Sequence, residues 1–142
     1  MRERLSAWQR LPRADLSLPH RHARYVVVDV ETTGLDMRRD LPIAIGAVGF
    51  RDNAITFGDA YEVVLKQSSA SADANILIHG IGGQMQLAGR DPALAMLEFV
   101  EYAGSSPLVA FRAEFDQSML VRAAWTYLGV ALRVPFIDLA FL

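Results

Sequence analysis

Tyr25-Val26-Val27-Val28-Asp29-Val30-Glu31-Thr32-Thr33-Gly34-Leu35-Asp36 is the stretch on which the rest of the chain turns. Its β-branched run predicts a buried strand over residues 25–30. Side chains of a strand alternate between its faces, so Asp29 and Glu31 point the same way from the strand's end. Two like charges held side by side are costly to bury unless a cation neutralises them. Hard oxygen ligands of this kind suit Mg2+ or Mn2+. The plainer alternative is a strand leaving the core with its acids in water. The Thr-Thr-Gly-Leu turn that follows favours the metal.

With 142 residues, the chain has the size of one small domain. A hydrophobic content of 52% and a charged content of 21% supply a real core and argue against disorder. The net charge of -2 exerts no global pull on a polyanion, so nucleic acid must bind through a local patch or through metal. The absence of cysteine excludes disulfides, thiolate zinc sites and cysteine nucleophiles. Histidine occurs only at His20, His22 and His79. No apolar run is long enough to span a membrane, and the Arg-rich N-terminus lacks an apolar signal core. A cytoplasmic protein is the expectation.

Residues 1–24 form a segment of their own character, a basic N-terminal helix or arm. Arg2, Arg4, Arg10, Arg13, Arg21 and Arg24 face only Glu3 and Asp15. Leu5, Trp8 and Leu11 fall on one side of a short helix, to be docked on the domain or to present its basic side to phosphates. Residues 25–142 carry the domain. A second strand is expected over 42–51 and a third over 54–66, joined as a hairpin through Asp52-Asn53. A polar loop over 68–74 and an apolar piece over 75–81 follow, then a helical turn at 85–88. Asp91-Pro92 starts a helix that Gly104 closes, with Leu94, Leu97 and Val100 inward. Pro107 to Phe111 reads as a buried strand, 114–128 as a helix closed by Gly129, and 134–137 as a last strand, after which Asp138 begins something new. The order gives an α/β fold, a mixed sheet with helices on its faces and the 107–111 strand parallel to the first. Asp116 then enters as a third carboxylate, in a first helical turn where negative charge is favoured. If the 107–111 strand lies beside 25–30, Asp116 faces Asp29 and Glu31 across a shared cleft.

Val27-Val28-Asp29-Val30-Glu31-Thr32-Thr33-Gly34-Leu35-Asp36, then Ile43-Ala44-Ile45-Gly46-Ala47-Val48, Ile78-His79-Gly80-Ile81 and Leu108-Val109-Ala110-Phe111-Arg112-Ala113-Glu114-Phe115-Asp116 together resemble the exonuclease domain of the DNA polymerase III epsilon subunit group. That group comprises 3′–5′ exonucleases with four carboxylates and a catalytic histidine. The resemblance covers roughly residues 24–142. It implies a ribonuclease H-like five-stranded mixed sheet flanked by helices and lacking the last helices. It also implies hydrolysis of the 3′-terminal phosphodiester of single-stranded DNA or RNA to nucleoside 5′-monophosphates. By the same resemblance Asp29, Glu31 and Asp116 are the catalytic metal ligands for two Mg2+ or Mn2+ ions, and Thr32, Thr33, Gly34 and Leu35 form the turn against the 3′-terminal nucleotide. DNA polymerase components are possible partners, and His79 is structural.

Three departures qualify the expectation. Phe111 and Arg112 stand where the group has His-Asn; Arg112 is a candidate to meet a substrate phosphate or to pair with an acid, a solvated surface charge being the equal alternative. Ala44 stands where a glutamate is common. The group's final histidine and aspartate have no counterpart, since no histidine follows Asp116 and Asp138 matches an acid that is not a ligand. A positioned general base is typically worth about 10²–10⁴-fold. The chain is therefore expected to be weak or inactive, most simply as part of a longer protein, with self-association through uncovered core surface. A non-catalytic nucleic-acid binder or a polymerase-complex interaction module is the alternative.

Overall fold

The computed structural model describes residues 1–17, 19, 22–68 and 80–141. His20, His79, most of the expected 68–74 loop and residues 75–79 lie outside the described residues. The elements are α1 (Arg2–Gln9), β1 (Tyr25–Thr32), β2 (Pro42–Arg51), β3 (Ala54–Val64), α2 (Gly83–Leu87), α3 (Pro92–Ala103), β4 (Leu108–Ala110), α4 (Ala113–Ala123) and β5 (Phe136–Asp138). A π-helical turn, Ala124–Leu128, prolongs α4. The five strands make one mixed sheet in the order β3-β2-β1-β4-β5. β1 runs antiparallel to β2 and parallel to β4, which is parallel to β5.

Local chemistry accounts for the main joints. Asp52 and Asn53 both take positive φ, 54° and 60°, as a tight two-residue hairpin demands of its central pair. Asp91 accepts a hydrogen bond from the Leu94 amide at 3.0 Å, and Pro92 occupies the first helical position of α3. Val26, Val28 and Val30 of β1 join Ile45, Val63 and Leu65 in one core with Met96, Phe99 and Val100 of α3 and Met119, Leu120 and Ala123 of α4. The opposite face of β1 carries Val27, Asp29 and Glu31. With Ala44, Gly46 and Val48 of β2, it is half-buried, except for Asp29, which is exposed.

Several expected boundaries move. β1 continues to Thr32, with an irregularity at Glu31/Thr32, so the two acids lie within the strand and not at its tip. β4 stops at Ala110. Phe111 is 69% exposed because the left-handed Arg112 (φ 65°, ψ 55°) turns the chain out of the sheet. β5 is displaced to 136–138, so Asp138 ends the strand and does not follow it. Leu94 is only half-buried; Ala95, Met96 and Phe99 are the deeper residues of α3. Leu11 lies beyond α1 and is exposed, whereas Leu5 and Trp8 pack on the core and the Trp8 indole N–H donates to the Gly104 carbonyl at 3.0 Å.

One ionic junction ties the residue before β1 to β3 and to the end of α3. β3 bulges at Phe57, Gly58 and Asp59, because Thr56 pairs with Gly49 and Ala60 already with Val48. The bulge lays the Asp59 carboxylate over Gly49, where a Cβ would stand 1.8 Å from its Oδ2. Arg24 donates to both Asp59 oxygens at 2.8 and 2.9 Å, to the Ala103 carbonyl at 3.3 Å and to Ser106 Oγ at 3.0 Å, with its guanidinium 4.8 Å from the Tyr102 ring centre. This bidentate geometry is the strong kind.

Replacing Arg24 with Ala should cost roughly 1.5–3 kcal/mol in chemical denaturation, the range for hydrogen bonds to charged groups. Arg24 also holds the Asp59 carboxyl below its ordinary range. A lowered folded-state pKa stabilises above the unfolded value of about 4 and is lost as pH falls through the folded one. The stability gap between wild type and Asp59→Asn should therefore be full at pH 7 and shrink below about pH 4.

Candidate active site

Backbone geometry explains how a helical acid reaches two strand acids. Amides of alternate residues in β1 face β4, and the Val26 N–H donates to the Pro107 carbonyl at 3.0 Å. β4 ends too early to serve Val30. Asp116 Oδ1, from the first turn of α4, accepts the Val30 N–H instead, at 3.3 Å. The carboxylate replaces a missing ladder carbonyl and is thereby tied to the β1 backbone at the residue that separates Asp29 from Glu31. It is 5% exposed.

This position has an electrostatic cost. Burial first, then the charge of Asp29, pushes the Asp116 carboxyl up to about 7, against the Val30 amide, which lowers it. Burial and the Asp29 charge raise Glu31 as well. Two acids are thus held above the ordinary carboxylate range, by burial first and by neighbouring like charge second.

The turn after β1 supplies the second wall. Thr32 Oγ1 donates to the Gly34 carbonyl. Thr33 Oγ1 donates to Asp40 Oδ1 at 2.9 Å and accepts from the Leu41 amide at 3.0 Å, while Asp40 Oδ2 accepts the Asp36 amide at 2.7 Å. Gly34 permits this closure: a Cβ there would lie 2.6 Å from Asp40 Oδ2. Arg122, on α4, donates to the carbonyls of Met37 at 2.6 Å and Asp40 at 2.9 Å. The helix that carries Asp116 therefore also braces the turn. Leu35 projects from that turn, 84% exposed.

Asp29, Glu31, Thr32, Leu35, Arg112 and Asp116 line one open cleft of about 580 Å³, the volume range of small-ligand sites. Thr33 and Gly34 do not line it; the Thr33 hydroxyl is committed within the turn. Met37, Glu114 and Asp138 join the lining without having been foreseen. Arg122 was missed too, because its partners lie 82 and 85 residues away and no local pattern points to them. A hollow of about 700 Å³ beside α1 is lined by Trp8, Leu11, Arg13 and Arg133 and holds no acid. Arg112 pairs with none of the acids among the described residues.

Among the described residues, no three acidic, histidine or cysteine side chains stand close enough to hold an ion as placed. The donor chemistry nevertheless fits a divalent cation. Asp29, Glu31 and Asp116 offer only hard oxygens, and a cation would relieve the like charge that adds to burial in raising two of them.

Two measurements follow. A raised folded-state pKa costs stability as pH climbs from the unfolded value of about 4 through the folded value near 7. In EDTA, Asp116→Asn, which keeps the acceptor for Val30, should stabilise the protein by roughly 1–3 kcal/mol at pH 8 and little at pH 4, read by thermal melting. Arg122→Ala should cost about 1 kcal/mol and speed hydrogen exchange at the Thr33, Asp36 and Asp40 amides while amides of β1 keep their protection.

Comparison with known proteins fits this geometry. The Exonuclease family model (RNase T) matches residues 26–140. The chain is 34% identical over 117 residues to a PolC-type DNA polymerase III of Thermotoga petrophila, and 30% identical over 122 residues to that of Clostridium perfringens. These alignments cover 82% and 80% of the chain but 8% of each relative, so the chain spans a small part of the polymerases it matches. The exonuclease I of Methylocaldum szegediense superposes with a TM-score of 0.69 over 82% of this chain and 27% of that one, at 19% identity. An apo exonuclease I superposes at 0.67 over 75% of this chain and 25% of that one, at 16% identity. The fold is ribonuclease H-like, and the chain belongs to the exonuclease family.

Proposed function

We propose that this domain is a metal-dependent 3′–5′ exonuclease acting on single-stranded DNA or RNA ends. The convergence of Asp29, Glu31 and Asp116 on one cleft beside the Thr32–Leu35 turn, in a chain of the exonuclease family, supports that reading. The reaction is hydrolysis. Water oxygen bonds to the terminal phosphorus, the bond to the neighbouring 3′-oxygen breaks, and that oxygen leaves as a 3′-hydroxyl, releasing a nucleoside 5′-monophosphate.

Asp29, Glu31 and Asp116 would hold two Mg2+ or Mn2+ ions. Such a pair supplies activation of the water and charge relief at the leaving oxygen. The protein's own residues do the rest. Asp116 stays fixed through its bond to the Val30 amide. Thr32 and the braced turn present the Leu35 side chain as an apolar surface for the terminal base. The PolC-type name of the relatives makes a polymerase assembly the proposed setting, in the cytoplasm. Among the described residues no helix is long and apolar enough to cross a membrane.

Among the described residues the cleft's lining includes no histidine. We therefore expect slow turnover, by about 10²–10⁴-fold relative to a site with a positioned base. The second reading is a binder of single strands without chemistry, which the same missing imidazole favours. Incubation of a 5′-labelled oligonucleotide with Mn2+ separates the two. A slow ladder shortening from the 3′ end, abolished by Asp29→Ala, is the expected result. Salt-sensitive binding with no shortening, equal in wild type and Asp29→Ala, would leave the binder.

A further inference from the structure

The helix that carries Asp116 starts without the usual help. Its N-cap, Arg112, makes no side-chain capping bond to the first-turn amides. Arg112 is also left-handed (φ 65°, ψ 55°), a conformation that a non-glycine residue keeps only where its surroundings impose it. β5 supplies the restraint. Register sets Asp138 beside Ala110, the last residue of β4. From there Asp138 Oδ1 accepts the Arg112 amide at 3.3 Å and the Ala140 amide at 2.8 Å. The Ala140 bond is a local Asx turn of the kind that ends many strands. The Arg112 bond spans 26 residues and joins the end of β5 to the start of α4.

Asp116 hangs on that joint. It stands about one helical turn beyond Arg112. Between them the Arg112 carbonyl accepts the Phe115 amide at 3.1 Å. Met119, Leu120 and Ala123 seat the middle and end of α4 in the core, and Arg122 ties that end to the turn after β1. At the start of the helix, Ala113 contributes one methyl group and Phe115 is only partly buried. The bond from the Val30 amide to Asp116 is itself long, at 3.3 Å, so a small swing of the first turn breaks it. The site therefore needs that turn to be fixed from outside the helix. Asp138, which lines the same cleft, is placed to do it.

We propose that Asp138 is a positioning residue of the site: by binding the Arg112 amide it holds the left-handed start of α4, so that the Asp116 carboxylate reaches the Val30 amide and stays in the cleft. Asp138 acts through the backbone and not as a ligand. Its role in catalysis rests on the nuclease reading above, whereas its hold on Asp116 does not.

Amide hydrogen exchange in EDTA and calorimetric titration with Mn2+ test it on the whole chain. Asp138→Ala should speed exchange of the Val30 and Phe115 amides about tenfold. The Val26 and Leu108 amides, which donate to the Pro107 and Pro135 carbonyls, should keep their wild-type rates. The same variant should weaken Mn2+ binding about tenfold, as loss of a group that orients metal ligands does. Asp138→Asn drops the charge but keeps an oxygen for both amides, and should behave as wild type in both measurements. Asp138→Ser keeps the local turn with Ala140 but falls short of Arg112, and should match Asp138→Ala. Wild-type exchange at Val30 in Asp138→Ala or Asp138→Ser would overturn the proposal. Equal acceleration at Val26 and Leu108 would also overturn it, leaving Asp138 a stabiliser of the whole fold. Mn2+ binding weakened as much in Asp138→Asn as in Asp138→Ala would overturn it too, by making the residue a ligand. If the wild type binds no Mn2+, the nuclease reading falls, and exchange at Val30 alone decides whether Asp138 places Asp116.

Discussion

The hydrogen bond from the Val30 amide to Asp116 is the constraint on which the site depends. It exists because β4 is only three residues long and cannot serve β1 to its end. An unserved buried amide is expensive, so the first turn of α4 must deliver an acceptor there. Any polar acceptor would satisfy the backbone. A carboxylate does so while adding a third negative group to Asp29 and Glu31, and the fold tolerates the raised Asp116 and Glu31 as a standing electrostatic cost. Stability alone would favour the amide side chain. The acid is what a cation-dependent site requires.

The same helix organises both walls of the cleft. Asp116 stands in its first turn and Arg122 near its end, so α4 clamps β1 at one point and the turn after β1 at another. The turn is in turn closed on itself through Asp40, which receives bonds from Thr33 and from the Asp36 amide. Carboxylates and apolar wedge are therefore registered against one rigid body. Side chains held on such a frame lose little to reorganisation when a ligand enters.

Much of this was legible in the residues. Alternation put Asp29 and Glu31 on one face, the Asp52-Asn53 pair made the hairpin, and Asp91-Pro92 began α3, because each of these is decided within a few residues. The third acid was found from its place after a strand, and the cleft does gather it with the other two. What escaped was long-range or contrary to local propensity. Phe111 continues an apolar run and reads as buried, yet one left-handed residue after it turns the chain away. Thr33 looked like a substrate ligand, but its hydroxyl is spent inside the turn. The Arg24 junction and the Arg122 brace join residues separated by 35 to 85 positions, and no window along the sequence contains both ends.

The bulge in β3 has an effect beyond seating Asp59. β3 is an edge strand, and its outer half exposes Ile55 and Phe57 to solvent. A long, flat, apolar edge invites a foreign strand to pair with it and so begins aggregation. Here three residues without cross-strand partners divide the edge into a short piece at 54–56 and another at 60–64. No intruding strand can follow both in one register. The irregularity that lets an arginine lock the sheet to its helix thus also interrupts the row of pairing groups that a second strand would need along the open side.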